Sequence, residues 1–218
     1  MLTDIKRTID VWLAHRDVLL LLDEPGSVKP HSQRKAFPQS RDLLRLLLTQ
    51  HLPLAAHDIH ILEDEKGKPK LSDSDKALDF NISHSGDYWA CAISRMGEVG
   101  LDIEKVRSST HALKLAQRFF TDDESCQVEQ ASDPEAEFFE LWTRKEAHAK
   151  FLGCGIFHLL ANQQVIHDPG DCFIQPVALL DGYKAALATV DADTHYRIHT
   201  INADRLNKMQ ESNLQTQS

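Results

Sequence analysis

One predicted helix near the middle of the chain constrains the fold more than any other stretch. Asp133 and Pro134 are typical of a helix start, and Gly153 is typical of a helix end. Between these points, residues at helical spacing form one apolar stripe: Phe138, Leu141, Trp142, Ala149 and Leu152. Lys145 lies in the middle of that stripe, where a lysine is costly unless its amine reaches an anion or the solvent.

Two further charged residues follow Lys145 on the same predicted helix. Glu146 and Lys150 are four residues apart, so they share one face at the edge of the apolar stripe. Together with Lys145, this region offers one carboxylate and two ammonium groups at the rim of a buried surface. When the motif is taken alone, an ordinary surface ion pair is the simpler explanation.

A strand predicted over residues 99–104 carries a second charged motif. Alternate residues of a strand point to opposite sides, so Asp102 and Glu104 share one face with Gly100. Two carboxylates on one face repel each other. A divalent cation such as Mg²⁺ removes the repulsion, because it binds carboxylate oxygens together with phosphates and waters. The alternative is a strand end with solvated acids.

A predicted strand–turn–strand unit over residues 80–94 supplies a third motif. Its turn is expected at Ser83-His84-Ser85-Gly86, which gathers two hydroxyls, an imidazole and a glycine backbone. A lone histidine is more often a structural hydrogen-bonding residue than a catalyst. In this setting, however, His84 is a candidate for binding phosphate, because its neighbours can also donate hydrogen bonds.

The overall composition limits the classes of partner. With 24 Lys and Arg against 33 Asp and Glu, the net charge is −9, which argues against general nucleic-acid binding. Four scattered cysteines without a Cys-x-x-Cys pair, and the lack of a signal-peptide pattern, predict a cytoplasmic protein with reduced thiols. The apolar runs are too short to span a bilayer, so no membrane association is expected.

Three other segments carry further expectations. Residues 29–41 are basic and predict either a solvated helix entry or an anion site. Thr121 is expected to cap a helix whose acidic run, residues 122–130, forms a solvated face. The stretch from about Arg205 to Ser218 has no apolar pattern and is expected to be frayed or disordered.

Taken in order, these motifs resemble the 4′-phosphopantetheinyl transferases, and most closely the surfactin-synthetase-activating type. The resemblance rests on Asn-Ile-Ser-His-Ser-Gly at 81–86, Gly-Leu-Asp-Ile-Glu at 100–104, Phe-Phe at 119–120, and Trp-Thr-Arg-Lys-Glu at 142–146 with Lys150. It covers about residues 29–190. It implies an α+β fold of two similar α/β halves, related by a pseudo-twofold axis, with the active site at their interface.

The same resemblance implies the limits of those halves. The N-terminal half is expected at residues 1–103, and the C-terminal half, with the Trp-x-x-Lys-Glu-x-x-x-Lys helix, at residues 104–203. Residues 204–218 are expected to form a flexible tail. Members of this type are monomers, so a monomer is expected.

Roles in the site are also implied by the resemblance. Asp102, Glu104 and Glu146 are expected to bind Mg²⁺, and Asp102, Glu146 and Lys150 to be catalytic. Lys150 would contact phosphate and help the leaving group. Glu146 would take the proton of the acceptor serine, with Glu104 or a metal-bound water as the alternative. Coenzyme A is expected to be held by polar and basic side chains: Ser83, His84, Lys68 in a Gly-Lys-Pro turn, Arg41, Lys29 and Lys145.

Two residues depart from the family pattern. Asp87 follows the Ser-His-Ser-Gly run where a basic residue can occur, and Cys154 stands between two glycines where a lysine can occur. Both changes remove positive charge near the expected pocket, so they bear on affinity and on the choice of carrier protein rather than on the chemistry.

The implied activity is transfer of the 4′-phosphopantetheine arm of coenzyme A to a serine of an apo carrier protein, with release of 3′,5′-ADP. The acceptor would be an acyl, polyketide or peptidyl carrier protein of fatty acid or secondary metabolite biosynthesis. Such a phosphoryl transfer depends on positioning and charge neutralisation. Two other functions fit the residues: a Mg²⁺-dependent nucleotide phosphohydrolase, and a non-catalytic module that binds coenzyme A or a carrier protein.

Overall fold

Strands with alternating apolar residues build two main sheets. The computed structural model describes residues 7–22, 39–65, 67–72, 78–108, 111–161 and 172–215. The strands of the first sheet are β1 (Thr8–His15), β4 (Asp79–Ser85), β5 (Tyr88–Ser94) and β9 (His195–Ile201). Their order in the sheet is β4–β5–β1–β9. Strand β9 runs parallel to β1, whereas the other two pairings are antiparallel.

The second sheet is smaller and entirely antiparallel. It has the order β6–β8–β7 and contains β6 (Val99–Lys105), β7 (Phe173–Pro176) and β8 (Tyr183–Thr189). A separate hairpin is formed by β2 (Ile61–Glu63) and β3 (Pro69–Leu71). Consequently β4 is an edge strand of the first sheet and β6 is an edge strand of the second.

The helices surround these sheets. They are α1 (Arg16–Leu20), α2 (Ser40–Leu48), α3 (Ala112–Phe119), α4 (Asp122–Gln130), α5 (Pro134–Phe151), α6 (Ile156–Ala161) and α7 (Ala203–Gln215), with a 3₁₀ turn at Ala56–Asp58. The long helix begins as the sequence predicts, because the Asp133 side chain accepts a hydrogen bond from the Ala136 amide and Pro134 occupies the first turn. In the described part of the chain, no helix has the length and apolar character needed to cross a membrane.

The two sheets share an inner core and carry helices on their outer sides. The inner core joins Val11 of β1 to Leu101 and Ile103 of β6. On the outer side of the first sheet, Trp12 packs in one cluster with residues of α2 and α7. On the outer side of the second sheet, Ala147 of α5 packs with residues of β8. The α+β fold is therefore confirmed, and the pseudo-twofold relation of the halves stays a prediction.

The edge strands β4 and β6 are joined by side chains rather than by a backbone ladder. Side-chain oxygens of four alternate residues of β4 accept hydrogen bonds from the backbone amides of four alternate residues of β6. The pairs are Asp79 Oδ2 with Val99 N at 2.9 Å, Asn81 Oδ1 with Leu101 N at 3.1 Å, Ser83 Oγ with Ile103 N at 3.4 Å, and Ser85 Oγ with Lys105 N at 3.0 Å. These bonds satisfy amides at the edge of β6 that no neighbouring strand reaches, those of Leu101 and Ile103 being buried, and we call this junction the seam.

Helix α5 lies unusually close to β6 because residue 100 has no side chain. A Cβ atom at Gly100 would collide with the carbonyl oxygen of Ala147 and lie 2.6 Å from the amide nitrogen of Phe151. Both of these are backbone atoms, so a flexible side chain could not move aside. The glycine therefore sets the distance between the helix and the seam.

The end of the chain differs from the expectation for residues 204–218. Instead of a flexible tail, residues Ala203–Gln215 form α7, with Leu206 and Met209 buried beside the first sheet. This segment has few apolar residues at helical spacing, so the helix is stabilised by its contacts with the rest of the protein. The limits of the two halves stay a prediction. The expected boundary between residues 103 and 104 falls inside β6, which belongs wholly to the second sheet, and β9, in the expected C-terminal half, belongs to the first sheet.

The contact at Gly100 leads to a prediction about stability. Gly100→Ala should lower the free energy of unfolding by about 1–3 kcal/mol or more, because α5 must move off β6. Urea unfolding measures the change. Gly155→Ala is the matched control, since a Cβ atom there meets nothing within 4 Å. Equal stability of the two variants would contradict the close packing described here.

Candidate active site

The strand acids lie at the seam, on the side of β6 that faces α5. Asp102 is 4% exposed, and its Oδ1 accepts a hydrogen bond from Ser83 Oγ at 2.8 Å. Glu104 lies two residues further along, and its Oε2 accepts a hydrogen bond from Ser85 Oγ at 2.6 Å. The two serines that satisfy β6 amides therefore also bind the two carboxylates.

Lys150 of α5 completes this arrangement. Its ammonium donates to Asp102 Oδ1 at 2.8 Å, to Ser83 Oγ at 2.9 Å and to the carbonyl oxygen of Leu101 at 3.1 Å. Three donors on one nitrogen thus contact both strands of the seam. The structure brings the helix motif and the strand motif together, as the sequence analysis expected.

Glu146, one helical turn before Lys150, is the acid most strongly affected by its surroundings. Burial, and after it the Asp102 carboxylate, raises the pKa of Glu146 to about 7, while Lys150 opposes the shift. The pKa of Glu104 is also raised, mainly by burial, with the Ser85 hydrogen bond opposing and Asp102 adding to it. The site therefore concentrates more negative charge than one lysine neutralises.

The donor set fits a hard divalent cation. Among the described residues, Asp102 Oδ2 is a buried oxygen without a hydrogen-bond partner. Carboxylate oxygens next to a cleft are the ligands that Mg²⁺ prefers. In the described ranges, however, no group of three His, Cys, Asp or Glu side chains is arranged to hold a metal ion. The residues present suit such an ion chemically, and they do not form a preassembled metal shell.

The Ser-His-Ser-Gly run is strand rather than turn, which corrects the sequence prediction. Ser83, His84 and Ser85 belong to β4, and the turn follows at Gly86-Asp87. The pleat of the strand places the two serines on the seam side and His84 on the opposite side. His84 reaches solvent, yet partial burial of its ring lowers its pKa, and the Lys150 ammonium lowers it further.

A small cavity of about 240 Å³ opens beside Lys150. Its wall includes Lys68 and Asn81, together with the glycines and Cys154 that follow α5. Lys68 is itself nearly buried, and its ammonium lies 3.2 Å from Asp79 Oδ2 and 3.3 Å from the Val99 carbonyl oxygen. Two lysines therefore border this cavity, and each of them already has a carboxylate partner.

The other expected cofactor residues are placed differently. Arg41 forms an exposed ion pair with Glu63, and Lys29 lies outside the described residues. Lys145 does not join the seam. It forms a buried ion pair with Glu124, whose Oε2 lies 2.9 Å from its ammonium. Glu124 is thus buried rather than part of a solvated face, a correction that the acidic run around it concealed.

Carboxylates, a lysine and a small cavity meet at the seam of this two-sheet α+β protein. Comparison with known proteins identifies the family to which such a protein belongs. Residues 98–198 match the family model of the 4′-phosphopantetheinyl transferase superfamily. Residues 29–96 match the model of the 4′-phosphopantetheinyl transferase N-terminal region. The chain belongs to this superfamily.

Individual relatives agree with these models. The chain is 30% identical to the 4′-phosphopantetheinyl transferase Sfp of Bacillus subtilis over 75% of its own length and 78% of that protein. It is 33% identical to the transferase HetI of a Nostoc species over 58% of its length and 55% of HetI. It is 38% identical to the transferase gsp of Aneurinibacillus migulanus over 53% of its length and 47% of gsp. The chain therefore spans about half the length of some curated relatives that it matches.

The raised pKa of Glu146 predicts a pH-dependent loss of stability without metal. Between its unfolded value near 4.5 and its folded value of about 7, the unfolded chain releases this proton and the folded chain retains it. Stability should therefore fall as the pH rises through this range. A pKa difference of one corresponds to about 1.4 kcal/mol, and solvent contact reduces the total here to about 1–2 kcal/mol.

Glu146→Gln tests this expectation, because the amide does not titrate. In buffer with a chelator, raising the pH from about 5 to about 8 should increase the unfolding free energy of the variant, relative to that of the wild type, by about 1–2 kcal/mol. Urea unfolding at both pH values measures the gain. Parallel pH curves for the two proteins would show that Glu146 has an ordinary pKa in the folded state.

Proposed function

We propose that this protein transfers the 4′-phosphopantetheine arm of coenzyme A to a serine of an apo carrier protein and releases 3′,5′-ADP. The observation that carries the proposal is the direct contact of Lys150 with Asp102 and Ser83 at the seam, next to Glu146. Membership of the superfamily supports it. Acyl, polyketide and peptidyl carrier proteins are the proposed acceptors.

Asp102, Glu104 and Glu146 would hold Mg²⁺, and the bound ion would neutralise charge on the coenzyme A pyrophosphate. Lys150 supplies a second positive charge beside the same carboxylates. In the transfer, this ammonium would stabilise the negative charge that grows on the leaving phosphate. Its contacts with both strands of the seam limit its motion, so the stabilising charge is positioned before the reaction begins.

Glu146 is the proposed base. Without metal its pKa is about 7, so bound Mg²⁺ would favour the ionised carboxylate, which could then take the proton of the attacking serine. Glu104, whose pKa is also raised, is the alternative acceptor. Because either carboxylate could deprotonate the carrier serine directly, the transfer would need no covalent intermediate on this protein.

The coenzyme A phosphates would lie against Ser83, His84 and the cavity beside Lys68. Lys68 would contribute positive charge to the wall of that cavity, although its ammonium also binds Asp79. Arg41 would have to leave Glu63 to reach a ligand. The proposed working form is a monomer. Its proposed location is the cytoplasm, a reducing compartment that agrees with the free cysteines among the described residues.

One experiment separates the three functions that fit the residues. The protein is incubated with coenzyme A, Mg²⁺ and a purified apo carrier protein, and the carrier is analysed by intact mass. Addition of one phosphopantetheine arm supports the transferase. Release of an adenosine diphosphate product from coenzyme A without carrier labelling supports a phosphohydrolase, and binding of coenzyme A without any product supports a non-catalytic module.

Removal of either strand carboxylate should abolish most of the transfer. Asp102→Asn and Glu104→Gln keep the side-chain shape, and each is expected to lower the rate of carrier labelling by about a hundredfold or more. The loss should be largest at limiting Mg²⁺. Asp123→Asn, an exposed acid of α4, is the control. Near-normal labelling by both seam variants would exclude the proposed metal ligands.

His84→Ala should weaken coenzyme A binding more than it slows turnover of the bound complex. A hydrogen bond to a charged phosphate is worth about 1.5–3 kcal/mol, so the dissociation constant should rise about ten- to a hundredfold. Titration calorimetry measures this change. His195→Ala, at an exposed position of β9, serves as the control. Unchanged affinity of the His84 variant would remove this residue from the proposed phosphate site.

A further inference from the structure

The buried ion pair between Lys145 and Glu124 stands apart from the seam. Its atoms are 2.9 Å apart, and the two side chains are only 4% and 5% exposed. The Lys145 ammonium also lies 5.3 Å from the centre of the Phe120 ring. An ammonium enclosed by a carboxylate and an aromatic ring has little room for a phosphate ligand, so its function must be sought within the protein.

Glu124 has a second contact that ties this pair to the start of α4. Its Oε2 accepts a hydrogen bond from the Thr121 amide at 2.9 Å, and the Thr121 hydroxyl accepts one from the Glu124 amide at 3.2 Å. This reciprocal capping box fixes the Glu124 side chain at the helix start. Lys145 therefore attaches α5 to a fixed point of α4.

Three consecutive residues of α5 have three different neighbours. Lys145 binds Glu124 of α4, Glu146 lies beside the carboxylates of β6, and the Ala147 carbonyl lies against Gly100. The helix is thus held from two sides at the turn that carries Glu146. A small rotation or slide of α5 would change the position of Glu146 and, one turn later, of Lys150.

Stability alone is a poor explanation for such a pair. Buried ion pairs rarely stabilise a fold more than apolar residues of similar size, because both charges lose their hydration. What an ion pair provides and an apolar contact does not is a defined geometry, since the ammonium must meet one oxygen at hydrogen-bond distance. This makes the pair suited to setting the position of one helix on another.

We infer that Lys145 and Glu124 are positioning residues, which hold α5 so that Glu146 and Lys150 meet Asp102, and that Lys145 does not contact coenzyme A. The inference rests on the proposed function and replaces the cofactor-binding role that the family resemblance implied for Lys145. It separates the two lysines of the helix motif: Lys150 acts at the seam, and Lys145 acts through the helix.

A double-mutant cycle tests the inference. Lys145→Met leaves Glu124 buried without its partner, and Glu124→Gln leaves Lys145 unpaired but keeps a side chain that can complete the capping box. Each single variant should lose about 10 °C in melting temperature. The double variant carries neither charge, and its melting temperature should be higher than that of either single variant.

Kinetics with coenzyme A and an apo carrier protein then distinguish positioning from binding. Each single variant should lower kcat about ten- to a hundredfold, with KM for coenzyme A changed less than about threefold. The double variant should recover part of the lost kcat. Lys184→Met, which breaks the more exposed ion pair between Lys184 of β8 and Glu140 of α5, is the control.

The outcomes separate this inference from the proposed function. A tenfold or larger rise in KM for coenzyme A, shared by Lys145→Met and the double variant, would mean that Lys145 binds the cofactor and would overturn the inference. A double variant no more stable than both single variants would overturn it as well. If the wild type itself does not label the carrier, the proposed function fails, whereas the stability cycle still tests the coupling of the two residues.

Discussion

The structure depends on how two sheet edges meet. Strand β4 ends one sheet and β6 ends the other, and the amides at the edge of β6 would be buried without partners if β4 did not provide acceptors. Only short polar side chains can reach across, which explains why Asp, Asn and Ser occupy alternate positions of β4. The same geometry turns Ser83 towards Asp102, so the element that joins the sheets also builds the site.

The site is electrostatically unbalanced, and this imbalance connects the fold to the chemistry. Gly100 lets α5 approach β6 closely, and the approach brings Glu146 and Lys150 to the strand acids. One lysine then faces several carboxylates, and burial, reinforced by repulsion from Asp102, raises the pKa values of Glu104 and Glu146. A protein that keeps such repulsion in its folded state is suited to a ligand that brings both a cation and phosphates.

Three segments of the chain differ from what their local patterns predict, and each difference has a physical cause. The Ser-His-Ser-Gly run has turn-forming residues, but its serines serve as strand acceptors because another edge lies beside them. Glu124 stands in an acidic run that predicts a solvated face, yet a lysine from a distant helix buries it. Residues 203–215 have too few apolar side chains to predict a helix, and Leu206 and Met209 stabilise one by packing on the first sheet.

The sequence by itself determined the long helix with its charged face, the alternation that puts Asp102 and Glu104 on one side of a strand, and the family resemblance, which in turn implied the α+β class. These features depend on local periodicity and on short motifs, which a linear chain displays directly. Only the tertiary structure decided which lysine contacts the strand acids, which acid is buried, and which side chains join the sheets. Those outcomes depend on contacts between residues far apart in the chain, such as Lys145 with Glu124 and Lys150 with Ser83, and no local pattern encodes such distances.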